Sequence, residues 1–228
     1  MKEDKTDKRW LYAGIIFLLL FVLTTTSVTK GLFSEIDKLT IERVSLYHTN
    51  FLTSLFIIYH YAFKTSTLVI ITLLMSATFY LLKKKKEAIT FAGIMIIDAL
   101  ALYLTKTFTN IIRPLGSIVT ESTLSFPSGH TTSAIVFIGL STYMSIKYLR
   151  GEWSKTRIPL VLEMIALSIF VAYSRLYLGI HWFSDIIGGT FLGLTILSIG
   201  IFILEEENIG KKLSQKTNTL RKKIISHQ

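Results

Sequence analysis

WFSDIIGGTFLGLTILSIGIFIL, from Trp182 to Leu204, decides the fold: 23 residues interrupted by a single charge, Asp185. Apolar stretches of roughly 18 residues or more are membrane-span candidates, because a bilayer core takes roughly 20 helical residues to cross. Working back toward the N-terminus, five more stretches read the same way: Ile158–Tyr173, Thr132–Leu149, Ala88–Thr105, Thr65–Leu82 and Trp10–Val28. Ile158–Tyr173 is short, at 16 residues, and has Pro159 near its start, where a helix tolerates proline. Trp10–Val28 outlasts a signal-peptide core and lacks a small-residue cleavage pattern, so it reads as an uncleaved first span. The expected fold is an all-α integral-membrane bundle of six transmembrane helices, forming one domain over residues 1–228. Composition agrees: half of the 228 residues are hydrophobic. They come in blocks rather than at amphipathic spacing. The chain has no cysteine, which excludes disulfides, thiolate catalysis and cysteine-ligated metals.

Lys and Arg set the orientation. Eighteen of them fall in the N-terminal segment, in Lys83–Lys86, in Lys147, Arg150, Lys155 and Arg157, and in the C-terminal segment. The alternate loops hold seven: Lys30, Lys38, Arg43, Lys64, Lys106, Arg113 and Arg175. Cytoplasmic segments carry the positive excess, so both termini are expected in the cytoplasm. The formal charge of +10 is then a topology signal with attraction to anionic headgroups; nucleic-acid binding has no support beyond charge. Residues 205–228 read as a basic cytoplasmic tail. The outer segment 30–63, between the first two spans, is too long for a tight turn. Its apolar residues Phe33, Ile36, Leu39 and Ile41, then Phe51–Phe63, suggest interfacial helices, acting as a lid or lateral gate or as a structural cap.

Alternation of six spans places three polar segments on the same outer side. The first runs from Lys106 to Arg113 and Pro114. Seven residues is two helical turns, so the two cations share a face if the third span continues outward. An arginine fork and a mobile ammonium suit phosphate oxygens, although both could instead snorkel at a membrane edge. The second segment is Pro127-Ser128-Gly129-His130. Ser128 is a natural N-cap, the free N–H groups of a helix start bind anions, Gly129 lets a ligand approach the backbone, and His130 can donate a proton. An ordinary capped helix with an interfacial histidine reads equally well from these four residues alone. The third segment is Ser174-Arg175, then His181 and Asp185. Four residues apart, this pair lets the carboxylate hold one imidazole nitrogen and leaves the other free to attack.

Together, Lys-x6-Arg-Pro, Pro-Ser-Gly-His and Ser-Arg-x5-His-x3-Asp, in this order and flanked by spans, resemble the type 2 phosphatidic acid phosphatase superfamily, and within it the six-span membrane branch of the phosphatidylglycerophosphatase B type. The resemblance covers about Ala88 to Leu204, the expected catalytic core. It implies that His181 attacks phosphorus to give a phosphohistidine, that Asp185 orients it, and that His130 protonates the leaving alkoxide. Lys106, Arg113 and Arg175 would hold the phosphoryl oxygens, helped by Ser128 and the Gly129 backbone. It implies no metal or other cofactor, a lipid phosphate drawn from the bilayer as substrate, and no obligate protein partner. Phosphatidylglycerol phosphate is the substrate it points to. Undecaprenyl pyrophosphate and phosphatidic acid are the alternatives; dedicated undecaprenyl pyrophosphatases often carry Asp where this chain has Gly129.

Asp98 and Glu163, inside the third and fifth spans, are expected to pair structurally, Glu163 with Arg157. His48, His60 and His227 read as interfacial or exposed. Trp10, Trp153, Trp182, Tyr173 and Tyr177 suit an aromatic belt. A transporter or channel with a basic vestibule would explain the cations and spans but not His181 with Asp185 beside His130; intact motifs count against an inactive scaffold.

Overall fold

The computed structural model describes residues 8–62, 64–148 and 156–225. Among them are eight helices and no strand: α1 (Arg9–Thr29), α2 (Ser34–Ser45), α3 (Asn50–Ala62), α4 (Thr65–Leu81), α5 (Lys85–Thr109), α6 (Gly129–Tyr148), α7 (Arg157–Tyr177) and α8 (Phe183–Ile225). The helical reading of all six apolar stretches is matched to within a few residues at most ends. Lys2, Lys5, Arg150, Trp153, Lys155 and His227 lie outside the described residues.

Within hydrocarbon every backbone group has to be satisfied inside its own segment, which selects helices. Hydroxyls are satisfied the same way: Thr24 and Thr25 on α1, and Thr190 and Thr195 on α8, each donate to the carbonyl four residues back at 2.7–2.8 Å. Among the described residues, four helices are long and apolar enough to cross a membrane: α1, α5, α7 and the Phe183–Glu206 part of α8. α3 and α4 meet at a 54° bend and make a fifth if they form one span. α6 is less apolar than these because its polar start is packed inside the bundle, with Thr131 and Thr132 buried.

α8 is the central helix. Its apolar stretch is 61% buried, against at most 28% for α1, α5 and α7. The outward faces of those helices are apolar and exposed, as at Leu19 and Leu23 on α1, Ile97 and Tyr103 on α5, and Leu162 and Ile169 on α7. α1 and α6 pack along α8 with the core residues Phe91, Phe126, Val136, Leu140, Leu197 and Ile201 between the helices. Two α8 glycines allow α6 its close approach: a Cβ on Gly189 would lie 2.8 Å from the Ser128 carbonyl oxygen, and one on Gly193 3.0 Å from that of Thr132.

The N-terminal helices dock on the same end of the bundle. Asp37 on α2 is buried and accepts from the Ser184 N–H at 2.8 Å and its hydroxyl at 2.7 Å, capping the start of α8. Phe56 on α3 packs among Phe170, Tyr173 and Tyr177 of α7. Tyr177, expected in an aromatic belt, is fully buried, and its hydroxyl bonds Thr49 and Thr53.

Candidate active site

The spacing of Lys106 and Arg113 predicts one helix face, but the structure places only Lys106 on α5. The helix stops at Thr109, four residues ahead of Arg113, where Asn110 takes a left-handed conformation with φ 50°. Asparagine tolerates that conformation better than most residues. The chain then folds back. Ser125 N–H donates to the Ile111 carbonyl at 2.7 Å, Ile118 N–H to Leu178 at 2.9 Å, and Ser128 N–H to Asp185 at 3.0 Å. These bonds pin the α5–α6 connection to the α7–α8 junction and bring the three polar segments together.

His181 lies between α7 and α8 and is fully buried. Its Nδ1 is 3.0 Å from Asp185 Oδ2. That oxygen also accepts from the Trp182 N–H at 2.8 Å and from the Ser125 hydroxyl. With the carboxylate accepting, Nδ1 carries the ring proton and Nε2 presents its lone pair. Arg113 Nη1 stands 3.1 Å from Nε2. Burial pushes the His181 pKa well below the usual imidazole value, and Arg113, Lys106 and Arg175 push it the same way. The ring is therefore a neutral base at neutral pH.

Two of the expected cations line a cavity of about 590 Å³ together with His181, His130 and Gly129. Lys106 donates to the Leu124 carbonyl and to that of Ser125 at 3.2 Å. Arg113 donates to the carbonyls of Thr123 at 2.7 Å and Ile180 at 2.6 Å. Ser128 is fully buried at the start of α6, where its Oγ accepts from the Thr131 hydroxyl at 2.9 Å. His130 Nε2 has no hydrogen-bond partner among the described residues. Away from this polar end the cavity runs between α4 and α5, past Leu68, Leu73, Met95 and Leu102, to Asp98. Asp98 accepts from Ser133 on α6 at 2.5 Å, the interhelical bond expected of it. Glu163 stands exposed on α7 without an ion pair to Arg157 among the described residues.

Arg175 departs from its expected position. It lies inside the last turns of α7 rather than after the span, is fully buried, and stands behind the cavity wall. Its Nε and Nη2 donate to Ser174 Oγ at 3.0 and 2.7 Å, and its Nη1 to His60 Nδ1 at 2.9 Å. His60, which sequence reasoning places at the interface, is 3% exposed. Its ring stacks on His130 with centroids 5.1 Å apart, and its Nε2 is 3.5 Å from Glu121 Oε1. Ligating atoms of His60, Glu121 and His130 lie within 4.8 Å of one another. Guanidinium only donates, so His60 Nδ1 accepts and Nε2 bears the proton. The ring thus bridges two charged residues, Arg175 at Nδ1 and Glu121 at Nε2, and Nε2, with its proton turned toward Glu121, has no lone pair for a cation. No signal in the sequence singled out His60, a lone histidine on an apolar helix.

A neutral histidine held by a carboxylate, two cations and a helix start around one cavity form a site suited to phosphoryl transfer on a membrane scaffold. Residues 45–208 match the PAP2 superfamily, and the chain belongs to it. It is a multi-pass membrane protein and a phosphoric monoester hydrolase, a lipid phosphatase of PAP2 type. Phosphatidylglycerophosphatase B of Bacillus subtilis (strain 168) is 22% identical over 187 residues, which are 82% of this chain and 92% of that protein. The crystal structure of a transmembrane PAP2-type phosphatidylglycerolphosphate phosphatase from Bacillus subtilis superposes with a TM-score of 0.80 at 22% identity, covering 86% of this chain and 97% of that one. LpxE from Aquifex aeolicus shares the fold less closely, with a TM-score of 0.55 at 17% identity over 73% of this chain and 94% of its own.

Proposed function

We propose that this chain dephosphorylates phosphatidylglycerol phosphate to phosphatidylglycerol without a metal, through a phosphohistidine on His181. The observation that carries the reading is the His181 ring: buried, fixed through Nδ1 by Asp185 and offering Nε2 beside Arg113 at 3.1 Å. The Nε2 lone pair attacks phosphorus, and the bond from phosphorus to the lipid oxygen breaks. Protonated His130 gives its proton to the departing alkoxide. A water then attacks the phosphohistidine, losing a proton to the now neutral His130. The P–N bond breaks, phosphate leaves, and its electron pair returns to His181. Lys106, Arg113 and Arg175, with the Ser128 hydroxyl and the Gly129 backbone at the start of α6, hold the phosphoryl oxygens of the bound lipid and stabilise the charge that gathers on them. Arg175 acts from behind the first layer, because its Nη1 is held by His60.

In this reading the bundle has six spans, with α6 the fourth and α4 the second, and α2 and α3 lie at the outer interface. Both termini are cytoplasmic and the site opens outward. The cavity between α4 and α5 then receives the lipid laterally, its headgroup at Lys106 and its chains against Leu73 and Met95. The test is a comparison of kcat/KM for phosphatidylglycerol phosphate, phosphatidic acid and undecaprenyl pyrophosphate, with and without a chelator. The account expects the first to be highest and the chelator to have no effect. A higher value for either other lipid reassigns the substrate, and chelator-sensitive release removes the metal-free mechanism.

A further inference from the structure

His60 is a buried titratable side chain outside the motifs, and it comes from the N-terminal half of the chain. Three contacts define it. Its Nδ1 accepts from Arg175 Nη1 at 2.9 Å. Its Nε2–H faces Glu121 Oε1 at 3.5 Å. Its ring lies against that of His130, at 27° between planes and 5.1 Å between centroids. The other two hydrogen bonds of Arg175 go to Ser174, the adjacent residue, so the far edge of the guanidinium is fixed by His60. His130 Nε2 is bound by nothing among the described residues, so the stack constrains the plane of that ring.

We propose that His60 is a positioning residue for the phosphatase reaction, setting the orientation of Arg175 through one nitrogen and of His130 through its ring face. The inference rests on the roles given to Arg175 and His130 above. It gives α3 a function that neither a gate nor a cover describes: the helix completes the site from outside the sequence motifs. Glu121 is the tether, holding the tautomer in which Nδ1 stays free to accept.

The two contacts can be separated by substitution in the full chain, with a lipid phosphate that the wild type turns over. His60→Asn keeps a short acceptor for Arg175 and loses the ring. His60→Phe keeps a ring for His130 and loses the acceptor. For His60→Phe, KM rises about tenfold or more with a smaller change in kcat, as expected for removing the acceptor of a charged donor. For His60→Asn, kcat falls about two- to tenfold with KM near wild type, the range of a lost aromatic stack. The proposal is overturned if both variants lose kcat and KM together in step with the melting temperature, or if neither changes. Should a variant not fold, the imidazole ¹⁵N spectrum of the wild type decides: His60 protonated on Nε2 supports the proposal, and protonated on Nδ1 sinks it. A wild type that releases no phosphate from any lipid phosphate defeats the phosphatase reading itself, whereas an active wild type with unsplit variants defeats only the role of His60.

Discussion

At the residue scale the chemistry depends on which nitrogen of His181 is free. The short link from Nδ1 to Asp185 is visible in the sequence as a four-residue spacing. The neighbours that make the ring a neutral base are not visible there, because Arg113 approaches from 68 positions away. His181→Ala therefore abolishes turnover while the protein still folds, checked by phosphate release together with size-exclusion behaviour. His130→Ala costs about 10²–10⁴-fold in kcat, the range of a lost general acid. The pH profile carries its own sign. Burial lowers the His181 pKa, and the attacking form is the neutral one, so on the acid side activity persists below the usual imidazole range until the ring is protonated. The alkaline side is set by His130, which has to carry a proton to donate it. The acid limb of kcat/KM should thus fall below about pH 6.5, the unperturbed histidine value; a limb above it would mean that the ring is not shielded as the structure shows. His60 marks the limit of reading at this scale. Its partners Arg175, Glu121 and His130 come from three distant segments, and no spacing along α3 announces them.

Elements bring those residues together. Hydropathy locates the helices well, because a span has to be apolar over its whole length, but it says little about which helix faces which. α6 shows why: its start is polar in sequence and buried in the structure, where Gly189 and Gly193 let it press on α8. A side chain at Gly189 meets the Ser128 carbonyl, a backbone atom that cannot step aside. Gly189→Val should therefore destabilise by about 1–3 kcal/mol, the usual cost of overpacking, and should lower kcat although residue 189 touches no substrate. Thermal unfolding in detergent, read beside activity, checks both. The end of α5 is the second lesson. Periodicity carries Lys106 and Arg113 onto one face, but Asn110 turns the chain, and the arginine reaches the site from a loop pinned to α8. α2 docks on the start of α8 through the Asp37 carboxylate. Asp37→Ala removes two acceptor bonds to Ser184 and should lower the melting temperature by an amount corresponding to about 1–2 kcal/mol. An unchanged melting temperature would mean that α2 is held by its apolar contacts instead.

For the whole molecule, the three polar segments meet at one end of the bundle, as alternating spans require. Their order along the chain, set between apolar blocks, makes that meeting legible in the sequence. The cavity that runs down between α4 and α5 was not readable, since it depends on how two spans splay. The proposed orientation across the membrane rests on the bias of Lys and Arg, and the absence of cysteine makes it simple to check. A cysteine at Leu115, which is 96% exposed beside the site, should react with a membrane-impermeant maleimide in intact cells. One at Lys83 should react only after lysis. The reverse pattern would turn the site toward the cytoplasm.

In the proposed mechanism His181 carries the phosphoryl group between lipid and water. Rapid quenching of the enzyme with ³²P-labelled lipid phosphate measures it most directly. The expected result is acid-labile, base-stable label on the peptide containing His181, absent from His181→Ala. Label on another residue, or an active enzyme that is never labelled at any quench time and releases phosphate with inversion at phosphorus, would contradict it.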